Sequence, residues 1–157
     1  MSKPILCLDF DGVCSDYSSG WQGMGNIPDA PVPGLFEFIL DAAHYFDIQV
    51  YSSRSAWPEG LTAMKVWFAK HYSAWLNSLD GNGLDNAYNK AITINKLISF
   101  PNHKPPAAIS LDDRAVQFNG IWPSMEFLVK FKPWTNGADN MASYVKYKQE
   151  LADGNIS

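Results

Sequence analysis

Residues 4–14 read Pro4-Ile5-Leu6-Cys7-Leu8-Asp9-Phe10-Asp11-Gly12-Val13-Cys14, and this stretch decides the fold. A short, nearly unbroken apolar run between a proline and an acidic, glycine-containing turn is how a strand buried on both faces reads. Two later runs have the same form: residues 48–51, leading into Ser52-Ser53-Arg54, and residues 107–111, leading into Asp112-Asp113-Arg114. Between the first two, Leu35, Phe36, Ile39, Leu40, Ala43 and Phe46 recur at helical spacing behind Pro33-Gly34. After the second, Leu61, Met64, Phe68, Tyr72, Trp75 and Leu79 trace a longer helical stripe that Asp80-Gly81-Asn82-Gly83 stops. Strands alternating with helices predict an α/β fold with a mainly parallel sheet covered on both faces, because parallel neighbours need long crossovers.

The rest of the chain is read more coarsely. A short strand is expected near residues 92–94, a small hairpin at Val116 to Phe118 with Asn119-Gly120, a short helix over 124–130 and a terminal helix over 139–151. No repeat, low-complexity tract or linker divides the 157 residues, so one domain is expected over 1–157, with a C-terminal extension at about 132–157. A chain of this length buries roughly 70% of its unfolded surface and needs no covalent staple. The two cysteines are too few for a disulfide framework and read as thiols in a reducing compartment. Twelve basic against sixteen acidic residues give a net charge of −4, which argues against a protein that coats nucleic acid. No run approaches the roughly 18 apolar residues of a membrane span, and the expectation is a cytoplasmic protein with no membrane partner.

In doubly wound sheets the ligand site lies outside the carboxyl ends of the strands. Here those ends carry Asp9 and Asp11, then Ser52 and Ser53, then Asp112 and Asp113. Carboxylates converging on one crevice repel one another unless a cation holds them. A hard ion such as Mg²⁺ suits carboxylates with no Cys or His pair beside them, and zinc does not. Asp9 then has the placement of a nucleophile toward phosphorus, and Asp11 that of an acid and base serving the leaving oxygen and the hydrolytic water. A serine hydroxyl at the second strand end is expected to bind a phosphoryl oxygen. Lys104, ahead of the third strand, is expected to neutralise charge, with Lys96 as its substitute.

These motifs, Asp9-Phe10-Asp11-Gly12-Val13, Val50-Tyr51-Ser52-Ser53-Arg54, Lys104 and Ile109-Ser110-Leu111-Asp112-Asp113-Arg114, stand in the order found in the haloacid dehalogenase-like (HAD) phosphohydrolases, which the chain resembles from about residue 4 to 114. The resemblance implies a three-layer Rossmann-like fold. It also implies a Mg²⁺-dependent phosphatase working through an aspartyl-phosphate. Asp9 would be the nucleophile, Asp11 the acid/base, Ser52 the phosphate-binding hydroxyl and Lys104 the stabilising cation. Asp9 and Asp112 would ligate Mg²⁺ directly, Asp11 through its backbone carbonyl, and Asp113 as a further or outer ligand.

Family members usually select substrates with an inserted cap, whereas here only a flap of about residues 13–33 follows the first motif. It carries Gly20-Trp21-Gln22-Gly23-Met24-Gly25, and glycines around an indole suit a lid that closes on substrate. Ser53, Arg54, Trp21 and Arg114 are the expected substrate contacts, the two arginines as partners for a second anionic group. An open site suits a phosphate on a nucleic-acid end, a protein or a carrier, and equally a small phosphomonoester or nucleotide if a homo-oligomer covers the crevice. The alternatives are a phosphotransferase of the same family and a non-catalytic phosphate- and Mg²⁺-binding module. A response-regulator receiver fits less well, since it places its lone acceptor aspartate on a middle strand.

Overall fold

The computed structural model describes residues 1–79, 94–135 and 140–154. In chain order the elements are β1 (Ile5–Leu8), α1 (Leu35–Ala42), β2 (Asp47–Val50), a 3₁₀ turn (Ser53–Ala56), α2 (Pro58–Leu79), α3 (Ile94–Leu97), β3 (Ile98–Ser99), β4 (Ile109–Leu111), α4 (Met125–Lys130) and α5 (Asn140–Ala152). The four strands form one parallel sheet in the order β3-β2-β1-β4. The α/β class read from the apolar runs is therefore the observed one.

The three strands read from the apolar runs are found, at Ile5–Leu8, Asp47–Val50 and Ile109–Leu111. The central strand β1 pairs with β2 from Ile5 against Asp47 to Leu8 against Val50, and with β4 from Leu6 against Ile109 to Leu8 against Leu111. Leu6, Leu8, Ile48 and Val50 share a face by their period of two and enter one core with Leu35, Phe36 and Ile39 of α1 and Met64, Phe68, Tyr72 and Leu76 of α2. Both helices lie on that face for a topological reason. The chain steps from β1 to β2 to β3 in one direction, and right-handed crossovers taken in one direction all pass the same side of a sheet. The expected covering of both faces is not completed by a crossover helix, because the return from β3 to β4, residues 100–108, is irregular.

Three other expectations need correction. The strand expected near residues 92–94 is replaced at Ile94 by the short helix α3, and the strand of that region is Ile98–Ser99; residues 92 and 93 lie outside the described residues, as does the stop at residues 80–83. No hairpin forms at 116–120. The backbone turns at Gly120, with φ +96°, but no strand follows to pair. Helix α1 ends at Ala42, and Phe46 closes the turn by donating its N–H to the Ala42 carbonyl. The helices at 124–130 and 139–151 do form, the first capped by the Ser124 hydroxyl, which accepts from the Phe127 N–H at 3.1 Å.

Edge strand β4 leaves Ile109 and Leu111 half in solvent, and beyond it Phe118, Ile121, Trp122 and Met125 are exposed. Among the described residues no helix is long and apolar enough to cross a membrane.

Candidate active site

Strand β1 delivers Asp9 to the middle of the sheet's carboxyl edge, where both neighbouring strands end. The Asp9 N–H donates to the Leu111 carbonyl at 2.9 Å, and the Tyr51 N–H donates to the Leu8 carbonyl at 3.0 Å, so pairing continues up to the point where the acids begin. Phe10 turns the other way and is fully buried, its ring 4.9 Å from Trp67 and 5.8 Å from Phe68. Anchoring Phe10 in the core leaves Asp9 and Asp11, its neighbours on either side, for the crevice. The Phe10 carbonyl then accepts the N–H groups of Val13, Cys14 and Ser15, which winds the chain into a tight turn.

Gly12 sits inside that turn with φ +88°, a left-handed backbone that a side chain opposes. A Cβ there would stand 2.2 Å from Asp113 Oδ2, so the glycine also vacates the seat that Asp113 occupies. The Gly12 carbonyl is held from the C-terminal side by the Trp134 indole, which donates at 2.8 Å.

Asp9, Asp112 and Asp113 come together, with one carboxylate oxygen from each lying within 4.8 Å of the others. The Asp113 side chain is fully buried, and among the described residues neither of its oxygens meets a hydrogen-bond donor. Arg114 Nε is 4.0 Å from Asp113 Oδ2, too long for a hydrogen bond. A buried carboxylate facing two others is costly unless a cation joins them, and an oxygen-only donor set suits Mg²⁺ or a similar hard ion. The protonation equilibria carry the same strain. Burial, then the Asp112 carboxylate, push Asp9 well above the ordinary carboxylate range, and burial raises Asp113 as well.

A cavity of about 260 Å³ opens beside this cluster, lined by Asp9, Asp11, Tyr17, Trp21, Ser52, Ser53, Asp112, Arg114 and Tyr147. Most of the residues singled out in the sequence line it, whereas Asp113, Arg54 and Lys104 do not. Ser52 and Ser53 both line it and differ in their local work. Ser52 is buried and caps the 3₁₀ turn, its Oγ accepting the Arg54 N–H at 3.2 Å while its own N–H donates to Ser55 Oγ at 3.0 Å; Ser53 is exposed.

Three expected contacts are placed differently. Arg54 was expected to reach a substrate anion, but its side chain is 1% exposed and is taken up by Asp11 and by two backbone carbonyls. Lys104 is exposed, before Pro105-Pro106 and five residues ahead of β4. Among the described residues, neither Lys104 nor Lys96 lines the cavity. Trp21 borders the cavity but is held as part of the protein. Its ring lies under the Arg54 guanidinium at 4.3 Å and meets Tyr147 edge-on at 4.9 Å, and its indole N–H donates to Glu150 at 2.7 Å.

The flap behind Trp21 is stitched down rather than loose. Asp16 N–H donates to the Ala30 carbonyl, Val32 N–H donates to the Cys14 carbonyl, and buried Asp29 accepts from Ser18 and Ser19 while its own carbonyl receives the Trp67 indole.

Two wall residues were not foreseen. Tyr17 is buried with φ +55°, an unfavourable backbone for a side-chain-bearing residue, and Arg114 lies 5.6 Å from its ring. Tyr147 comes from α5, outside every motif read from the sequence; in the structure Tyr147 and Leu151, one turn apart, pack on the flap. No protein-family model, no curated protein and no solved structure matches the chain.

Proposed function

We propose that the chain is a divalent-cation-dependent phosphomonoester hydrolase of the haloacid dehalogenase-like type, working through an aspartyl-phosphate on Asp9. The observation that carries this reading is the convergence of Asp9, Asp112 and the buried Asp113 beside a cavity lined by Asp9, Asp112, Asp11 and two serines. The sheet order with β1 at its centre supports the Rossmann-like part of the resemblance.

Asp9, Asp112 and Asp113 would hold Mg²⁺, which when bound offsets their mutual repulsion and the charge of the incoming phosphate. An Asp9 oxygen attacks phosphorus, and the bond from phosphorus to the leaving oxygen breaks as Asp11 gives that oxygen a proton. Asp11 then takes a proton from water, whose oxygen attacks the same phosphorus, breaking its bond to Asp9 and freeing phosphate and the carboxylate. Ser52 and Ser53 offer hydroxyl donors to the phosphoryl oxygens, and Arg114 is the cation among the described wall residues. At about 260 Å³ the cavity is smaller than the roughly 300–1,000 Å³ of sites for drug-sized ligands, which favours a phosphate carried on a compact group.

The test is phosphate release from p-nitrophenyl phosphate with and without Mg²⁺, comparing wild type with Asp9→Asn. Metal-dependent turnover lost in the variant supports the reading, and an Asp9→Asn protein of full activity would sink it.

A further inference from the structure

Arg54 has no part in the chemistry just described, yet it is buried to 1% exposure. A guanidinium taken out of water is costly unless its donors are met, so the way they are met carries information. Nε donates to Asp11 Oδ2 at 3.0 Å, and Nη2 donates to Asp11 Oδ1 at 3.2 Å. On the other edge, Nη1 donates to the flap carbonyls of Gly23 at 2.7 Å and Met24 at 2.6 Å. The flat face of the group covers the Trp21 ring at 4.3 Å.

The backbone of Arg54 is fixed as firmly as its side chain. It lies inside the Ser52–Ser55 capping box, and helix α2 passes so close that a Cβ on Gly60 would stand 2.5 Å from the Arg54 carbonyl oxygen and 2.9 Å from its Cα.

We infer that Arg54 is the positioning residue for Asp11: it fixes the direction in which that carboxyl faces the leaving-group oxygen and links this aim to the seating of the flap. The inference rests on the reading of Asp11 as acid and base. Both Asp11 oxygens accept from Arg54, so rotation of the carboxyl is blocked, while the second lone pair on each oxygen remains for a proton. The side chain keeps 14% exposure, on the rim of the cavity. The fork geometry is specific to arginine, since an ammonium makes a single point contact and cannot hold two carboxylate oxygens in plane.

A merely structural arginine and one that aims an acid differ in which substrates suffer when it is lost. Nitrophenolate departs without a proton, whereas an alkoxide needs one. The experiment measures kcat/KM on p-nitrophenyl phosphate and on glycerol phosphate for wild type, Arg54→Met, Arg54→Lys, Asp11→Asn and the Arg54→Met/Asp11→Asn double variant. Arg54→Met is expected to lose about 100-fold on glycerol phosphate, the scale of general acid catalysis, and only a few-fold on p-nitrophenyl phosphate. Arg54→Lys should fall between, and the double variant should be no slower than Asp11→Asn alone.

Equal losses on the two substrates, or losses that add in the double variant, would overturn the inference. If Arg54→Met does not fold, Arg54→Lys carries the same comparison. A folded wild type inactive on both substrates would instead overturn the phosphatase reading and this inference with it.

Discussion

The Arg54 guanidinium closes on the Asp11 carboxylate with Nε 3.0 Å from Oδ2, across 43 residues of sequence. This pair joins the turn after β1 to the turn after β2, so Asp11 and the two serines share one support, which the Gly23 and Met24 carbonyls extend to the flap.

The carboxylate cluster makes stability depend on pH and on metal. Burial raises Asp9 and Asp113, so the folded chain binds more protons than the unfolded chain from the ordinary carboxylate range up to the raised values. Across that window the contribution of these groups falls as pH rises. In metal-free buffer Asp113→Asn should therefore melt higher than wild type by about 2–4 °C near neutrality, the scale of a 1 kcal/mol change, with the gap closing toward pH 4. Mg²⁺ should raise wild type more than the variant. Melting curves in EDTA and in Mg²⁺ over pH 4–8 check both, and a gap that widens on acidification would refute the assignment.

Gly12→Ala should be damaging despite its size. The left-handed backbone alone costs about 1–2 kcal/mol. The new Cβ also meets Asp113 Oδ2, so the cluster must shift, and a displacement near 1 Å is expected to cut kcat/KM by about 100-fold. Denaturant titration and turnover of the same protein separate the two effects.

Gly60→Ala sets two effects against each other. Helix propensity favours alanine by about 1 kcal/mol. The Cβ would press on backbone atoms of Arg54, which cannot swing aside as a side-chain tip can, and overpacking of this kind costs about 1–3 kcal/mol. Net destabilisation is expected, with activity falling because Arg54 moves; a protein more stable than wild type would show that the turn yields freely.

Ser52→Ala and Ser53→Ala should part company. Losing the Ser52 cap is expected to cost about 1 kcal/mol of stability as well as activity. Exposed Ser53 caps nothing, so its loss should leave stability within about 0.5 kcal/mol while raising KM if its hydroxyl binds phosphate. Paired measurements of melting temperature and kcat/KM distinguish the serines.

The parts of this fold legible in the sequence are those with a strong local pattern. Residues 4–8 announce β1 because a buried parallel strand leaves an unbroken apolar run, and the acids follow because they end such runs. Ile98–Ser99 announces nothing, being a two-residue strand with one buried side chain. Arg54 follows the serines exactly as a substrate-binding arginine would, and only the folded chain shows its donors already taken. Lys104 sits at the expected place in the order of motifs, but order alone does not bring a side chain to the cavity wall. Tyr147 enters from more than a hundred residues away, on a helix that no motif ties to the strand ends.

The sheet also carries its own timer. Cys7 and Cys14 bracket Asp9, are 5% and 0% exposed, and have thiols that burial raises, so neither ionises readily while β1 stays in place. A thiol reagent reaches them only when β1, which carries Cys7, or the turn after it, which carries Cys14, opens. The rate at which the folded protein is labelled therefore counts those openings, reporting on the segment that carries Asp9 without altering any residue of the carboxylate cluster.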